Sequence, residues 1–481
     1  MKKTLKNICS LSLAVSMLAG LTACTSNEND LKTTTTTPTE APAETTTTSQ
    51  AESSRQVAEW SDTAIIYEVN VRQYSNEGTF AAFEGELERL KEMGVNTLWF
   101  MPIYSISEEN RKGTLGSYYA IQDYKSVNSE FGTMEDFTAL VDKAHDMGFK
   151  VILDWVANHT GWDHTWITEH PEYYMKDEEG NIISPIGQDW DDVAQLDFNN
   201  TEMKAAMIDA MKYWITEADI DGFRCDYAQG VPVEFWNEAR EELNKLKDIY
   251  MLAEEGSQSN SYLISAFDSN YAFQTYDSLL GIAKGSEDAK DLEYKISAKL
   301  PEGSFVMNFI ENHDKNSYDG SLEERFGANA IPALTTLIFT LKGAPLIYSG
   351  QEEGITQTLA FFDKDPIRFE NYTYAPLITK LCEIKLSDPV FNNRTGAPVE
   401  YIKCSNKNIL MFKRANEETQ ITVIINMSDE KQTLEFDEGT ISGDILINGY
   451  GAEYIPEDVT STDITSGHVL EPWEYYVIKS N

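Results

Sequence analysis

From Ser61 onward, eight short apolar runs alternate with amphipathic segments, and this alternation restricts the fold more than any other feature of the chain. The runs that read as strands are Ala64–Val69, Val95–Met101, Phe149–Asp154, Ile220–Asp226, Ile249–Glu254, Tyr271–Thr275, Phe305–Ile310 and Ala344–Tyr348. Helical spacing is predicted over 80–93, 133–147, 202–217, 233–247, 277–299, 321–341 and 373–386. A continuous apolar run such as Val151-Ile152-Leu153 suits a parallel strand covered on both faces. Eight strand–helix alternations predict an α/β fold, a closed (β/α)8 TIM barrel over residues 61–391, in preference to an open sheet. Two departures interrupt the pattern. Residues 157–200, after the third strand, form an inserted excursion rich in Trp, His and Asp, and loops of that length are usually functional. Over 392–481 alternating runs such as Asn408–Lys413 and Gln420–Ile425 predict a small antiparallel β-sandwich.

The N-terminus has a different character. Lys2, Lys3 and Lys6 precede an apolar stretch, Ile8–Leu21, that is too short for an ordinary membrane-spanning helix. It ends in Leu21-Thr22-Ala23-Cys24, which resembles the bacterial lipoprotein cleavage box. That resemblance implies a signal peptide over 1–24, a lipidated Cys24, and export to the extracellular face of the bacterial cell membrane. Contact with the membrane is then expected only through Cys24. Residues 25–60, with threonine runs at Thr33–Thr37 and Thr45–Thr48, cannot bury a core and read as a disordered Thr/Ser/Pro-rich tether. Of five cysteines, Cys225, Cys382 and Cys404 then remain, too scattered for a disulfide framework or a zinc site. With 79 acidic against 38 basic residues the chain is a poor match for nucleic acid or anionic lipid. No glycine-rich nucleotide loop follows the first strand. Oligomeric state is not encoded in any of these patterns.

Three acids stand at the C-terminal ends of strand patterns: Asp226 ends Ile220–Asp226, Glu254 ends Ile249–Glu254, and Asp314 follows Phe305–Ile310. In a parallel barrel the C-terminal ends of all strands open on one face, so these residues converge. Two or three convergent carboxylates are what glycosidic bond cleavage requires. Arg224 stands two residues before Asp226, on the same face of its strand, where a guanidinium favours the ionised carboxylate.

The order of these pieces resembles the α-amylase superfamily of glycoside hydrolases. Asp154-Trp-Val-Ala-Asn158-His159, Gly222-Phe-Arg224-Cys-Asp226, Ala253-Glu254 and Phe309-Ile-Glu-Asn312-His313-Asp314 are similar to its four signatures, in order. Gly116–Tyr124 matches the aromatic segment after its second strand, and Gly343–Glu352 matches its eighth strand. The resemblance implies a nucleophile at Asp226, a general acid/base at Glu254 and a transition-state stabiliser at Asp314. It also implies sugar contacts from Tyr119, His159, Arg224 and His313, with Asp154 organising hydrogen bonds at the barrel rim. Trp162, Trp166 and Trp190 are candidates to extend the sugar track. The implied substrate is an α-glucan (starch or malto-oligosaccharide), cleaved at α-1,4 bonds by a retaining double displacement. The same carboxylates also serve glucanotransferases and α-1,6- or cyclodextrin-acting relatives, and a non-catalytic surface glucan-binding lipoprotein is the reading outside enzymes.

The chain departs from the family at one place. Many members hold a calcium ion between excursion and barrel, and where they supply an acid and a histidine this chain has Gln195 and Gly230. A lysine contact is likewise replaced by Gln229. No cofactor is required by the sequence, no metal ligand set is assigned, and Ca2+ is admitted only by the resemblance. If residues 25–59 are merely a tether, deleting them leaves a folded, soluble protein; loss of the cooperative unfolding transition in the truncated chain would refute that role.

Overall fold

The computed structural model describes residues 57–256, 266–296, 300–437, 439–454 and 461–480; the signal-like segment, Cys24 and the tether to residue 56 lie outside the described residues. Eight parallel strands close into a barrel, each paired with its neighbours in sequence and the last with the first. They are β1 (Ile66–Val69), β2 (Thr97–Phe100), β3 (Lys150–Val156), β4 (Gly222–Asp226), β5 (Tyr250–Ala253), β6 (Ser269–Tyr271), β7 (Phe305–Asn308) and β8 (Ala344–Tyr348). Around them run α1 (Leu87–Met93), α2 (Met134–Asp146), α3 (Thr201–Ala218), α4 (Val233–Asn244), α5 (Phe273–Ala283), α6 (Ile331–Thr340) and α7 (Ala375–Ser387). Local chemistry starts these helices. Thr133 and Asp136 form a reciprocal capping box on α2, and the Asn200 side chain accepts the first free N–H groups of α3.

The sixth strand differs from its expected place. It lies at Ser269–Tyr271, while Phe273–Thr275 already belong to α5. The reason is that this strand opens on buried polar residues, which a search for apolar runs passes over. Asp268 pairs with Arg240 at 2.8 Å, and Ser269 hydrogen-bonds the Tyr250 hydroxyl. The helix expected at 277–299 stops at Ala283 and resumes as Ala289–Ile296, since Gly285 takes a left-handed φ of 71°. That expected at 321–341 is split likewise, into Leu322–Phe326 and α6, by Gly327 at φ 80°.

The C-terminal part is antiparallel. Strands β9 (Ile409–Ala415), β10 (Gln420–Asn426), β11 (Thr440–Tyr450) and β12 (Tyr475–Ser480) form its main sheet in the order β9-β10-β12-β11. Strand alternation sorts its side chains between two faces. Leu410, Phe412, Val423 and Ile425 join the large core shared with the barrel, while Ile409, Met411 and Ile424 pack with Leu434 and with Leu470, the latter on a small second sheet.

Arg414 of β9 fastens this sheet to the barrel. Completely buried, it donates to the carbonyls of Thr340 and Leu341 at the end of α6, both at 3.0 Å, and to Ala397 at 2.9 Å. A cation there satisfies carbonyls that the helix terminus leaves open. Arg414→Ala is expected to destabilise the protein by about 2–4 kcal/mol through the orphaned buried carbonyls, read as a lower thermal midpoint; an unchanged midpoint would remove Arg414 from the junction.

Candidate active site

Barrel register brings the acids together. Asp154 on β3 stands opposite Arg224 on β4, Val156 opposite Asp226, and Cys225 opposite Ala253 of β5. Glu254 is the next residue, its N–H bonded to the Cys225 carbonyl at 3.0 Å. A cleft of about 890 Å³ opens here, and Asp226, Glu254 and Asp314 all line it, with Tyr119, His159 and His313. Their carboxyl side chains are 13%, 19% and 41% exposed respectively, so each is reachable from the cleft and Asp314 is the most open.

Arg224 is not on the cleft wall. It is completely buried beneath the floor, which corrects its expected role as a sugar contact: its side chain is spent on the protein itself. Nη1 lies 2.8 Å from Asp154 and 3.0 Å from Asp226, Nη2 lies 3.0 Å from Glu254, and Nε donates to the Tyr271 hydroxyl at 3.0 Å. Asp154 is equally buried and also accepts from Trp99 Nε1 at 3.2 Å and the Tyr119 hydroxyl at 3.1 Å.

The electrostatics follow from this crowding. Burial and the neighbouring Glu254 carboxylate raise Asp226 well above the usual carboxylate range; Arg224 pulls toward the ionised form, as its spacing implies, but is outweighed. Burial alone would lower His313, yet Asp314 and Glu68 overcome it and raise the ring to about 9. The resulting imidazolium donates from Nδ1 to Glu68 and from Nε2 to the Tyr119 hydroxyl at 2.8 Å. His159 has no such partners, and burial lowers it to about 4, so it meets a ligand as a neutral ring.

Of the three tryptophans in the excursion, Trp190 lines the cleft, 5.6 Å from the His159 ring. Trp162 instead donates to the Asp191 carbonyl, and Trp166 packs on Tyr124 and Tyr173. Asn312 caps the short helix His313–Asp319 by accepting the Lys315 N–H at 2.8 Å. Sequence reasoning missed Lys112, Tyr227, Tyr318, Phe361 and Phe362, all of which line the cleft. One signal was present for the last two. Residues 349–374 contain no helix or strand, and so long a connection in a compact domain points to a functional loop.

At the junction where the resemblance implies calcium, the residues do not fit an ion. The Gln195 amide nitrogen donates to Asn158 O at 3.0 Å, Asn158 Oδ1 at 3.1 Å and Leu196 O at 3.2 Å. Its own oxygen accepts from Asn158 Nδ2 at 3.2 Å. A neutral donor thus satisfies the oxygens a cation would use, and the described residues hold no cluster of three or more His, Cys, Asp or Glu placed for a metal.

Comparison with known proteins agrees with this geometry. The family model "Alpha amylase, catalytic domain" matches residues 44–182 and 186–389. The α-amylase MalA of Haloarcula japonica is 27% identical over 427 residues, which cover 84% of this chain and 61% of MalA. A solved α-amylase from Lactobacillus plantarum is 32% identical with a TM-score of 0.75, covering 87% of this chain and 99% of its own. The maltogenic α-amylase AmyB of Thermotoga neapolitana is 29% identical with the same TM-score of 0.75, covering 87% and 96%.

The raised His313 ring has a consequence for stability. A base whose folded value is raised, here to about 9 from 6.5, contributes stability that is complete below 6.5 and is lost as pH rises through 9. Urea midpoints measured across that window should fall toward alkaline pH, and His313→Gln should flatten the fall. Parallel pH profiles in the two proteins would contradict a charged His313.

Proposed function

Since this chain belongs to the α-amylase family of glycoside hydrolases and is a glycosidase of that type, we propose that it cleaves α-1,4 bonds of starch or malto-oligosaccharides by a retaining double displacement. One observation carries this reading: a single buried guanidinium, Arg224, lies 3.0 Å from both the Asp226 and the Glu254 carboxylates at the cleft floor. Both acids are thereby fixed at the same point of the cleft floor, an arrangement compatible with the separation of about 5–5.5 Å that retaining enzymes use; the likeness to α-amylases selects retention over inversion.

In the first step an Asp226 oxygen bonds to the anomeric carbon while the bond from that carbon to the glycosidic oxygen breaks. Glu254 gives its proton to the departing oxygen. The two roles need opposite protonation states, Glu254 protonated and Asp226 ionised. Burial and the Glu254 charge oppose ionisation of Asp226 while Arg224 favours it, so a protonated Glu254 also removes a charge that works against the nucleophile. In the second step Glu254 takes a proton from water, whose oxygen attacks the anomeric carbon and frees Asp226. Asp314 and the neutral His159 face the sugar hydroxyls, and the Tyr119 ring offers its face to the apolar side of the sugar.

We further propose that the protein acts outside the cell, tethered by a lipid on Cys24. Lys2, Lys3, Lys6, the apolar Ile8–Leu21 stretch and the Thr-rich tract support this.

Glu254→Gln is expected to lower turnover on soluble starch by at least ~10²–10⁴-fold with substrate affinity largely kept. Full activity in that variant would exclude Glu254 as the proton donor. Resolving products from starch and pullulan by chain length tests the whole reading. Short malto-oligosaccharides from starch, absent with Asp226→Asn, support it; products from pullulan or chains longer than the substrate favour an α-1,6-acting enzyme or a transferase. Starch binding with no product favours a non-catalytic capture protein.

A further inference from the structure

The loop after β2 and the tip of the excursion meet above the cleft through one lysine. Lys112 Nζ lies 3.0 Å from the Asp189 carbonyl, 3.0 Å from Asp191 Oδ1 and 3.0 Å from Asp192 Oδ1. An ammonium has three donors, and here all three are used. The Asp191 side chain is 86% exposed, so that pair contributes little. Asp192, at 7%, is screened from water, and it makes the tie firm.

Both ends of this strap are anchored. On the loop after β2, Leu115 N–H donates to the Phe362 carbonyl at 3.0 Å and Thr114 N–H to Asp363 at 2.9 Å. Gly113 takes a φ of +62°, and a Cβ there would stand 2.4 Å from Phe362 Cβ, so the two loops touch where only glycine fits. Arg72 binds the carbonyls of Gly116 at 3.0 Å and Phe361 at 3.3 Å, pinning both loops to the barrel. In the excursion, Trp190 is wedged between His159 and Tyr227, with ring centroids at 5.6 and 5.2 Å.

The position of the strap along the substrate follows from chemistry, and it rests on the reading under Proposed function. On that reading the sugar attacked by Asp226 stacks on Tyr119 and the leaving sugar stands on the Glu254 side of the cleft, whose lining includes Gln229 and Phe273. In a 1,4-linked chain the attacked sugar is substituted at its own O4 by the units running to the non-reducing end. Beyond Tyr119 that path meets Phe361, whose ring is nearly parallel at 14° and 6.1 Å, then Tyr318 at 5.3 Å, with Lys112 and Phe362 on the same rim. Asp189 and Asp192 line the same cleft from the excursion side, and Tyr318 stands exposed at its rim. The cleft, about 890 Å³ and open to solvent on one side, lies within the roughly 300–1,000 Å³ of small-molecule sites.

We propose that Lys112, tied to Asp189, Asp191 and Asp192, closes the non-reducing side of the cleft and directs cleavage to bonds a few units from a non-reducing chain end. The enzyme then releases short products from chain ends instead of cutting at random within starch.

The test compares a maltoheptaoside with a free non-reducing end against the same compound whose terminal O4 and O6 are tied in an ethylidene ring. The wild type should hydrolyse the free compound much faster. Lys112→Ala should narrow that preference by roughly tenfold or more, the scale on which a single pocket contact discriminates, and Lys112→Arg should restore it. Asp192→Asn, which keeps the lysine, should narrow it in the same direction. Equal rates on both compounds in the wild type, or an unchanged preference in both Lys112→Ala and Asp192→Asn, would overturn the strap. If the wild type cleaves neither compound, the hydrolase reading fails instead, and calorimetric titration with the same pair decides the strap alone. Weaker binding of the blocked compound, relieved in Lys112→Ala, supports closure; indistinguishable binding overturns it.

Discussion

The Arg224 guanidinium is the interaction on which the rest of the site depends. It sits in the dry interior of the barrel and faces Asp154, Asp226 and Glu254 at 2.8–3.0 Å. Removing a carboxylate from water is costly unless it is paired and hydrogen-bonded. Arginine suits this place because its planar guanidinium presents several fixed donors and stays charged when buried, so one side chain reaches all three carboxylates. Its position is dictated by strand register, since β3 and β4 set Asp154 beside Arg224. The barrel and the chemistry are thus linked through one residue.

One cation does not balance the charges around it. Glu68, Asp154, Asp226, Glu254 and Asp314 surround the site, against the positive charges of Arg224 and His313. Burial, with this excess, raises Asp226 above the usual carboxylate range. It also favours positive charge wherever it develops, as it does on an oxocarbenium-like sugar. The hydrogen-bond chain from Glu68 through His313 and Tyr119 to Asp154 ties the pocket wall to the buried charges, so the wall is ordered before a ligand arrives.

Farther out, the scaffold works by ordinary packing. Alternating residues of β9 and β10 divide between the shared core and the small outer sheet, and Arg414 closes the seam at the end of α6. The mouth of the cleft is instead made of loops, held by backbone carbonyls and a single saturated lysine. The barrel supplies rigidity and the loops supply selectivity, which is the usual division in this architecture.

The strand order was legible because apolar runs and helical spacing repeat eight times, and the sixth strand was misplaced where that signal gives way to buried Asp268 and Ser269. Asp226, Glu254 and Asp314 were legible as a group, since a strand pattern tells which end a residue occupies and a parallel barrel gathers those ends. Tyr119, His159 and His313 came from the family resemblance and line the cleft; Arg224 came with them and lies below it. Sequence alone therefore determined the order of the elements and which acids share a face, because both are local, periodic properties of the chain. The tertiary structure alone decided that Arg224 is buried, that Asp226 is raised, that the Gln195 amide is bonded to Asn158 and Leu196, and that Lys112 bridges to Asp192. Those outcomes depend on desolvation and on distances between residues far apart in the chain, and neither is written in a one-dimensional pattern.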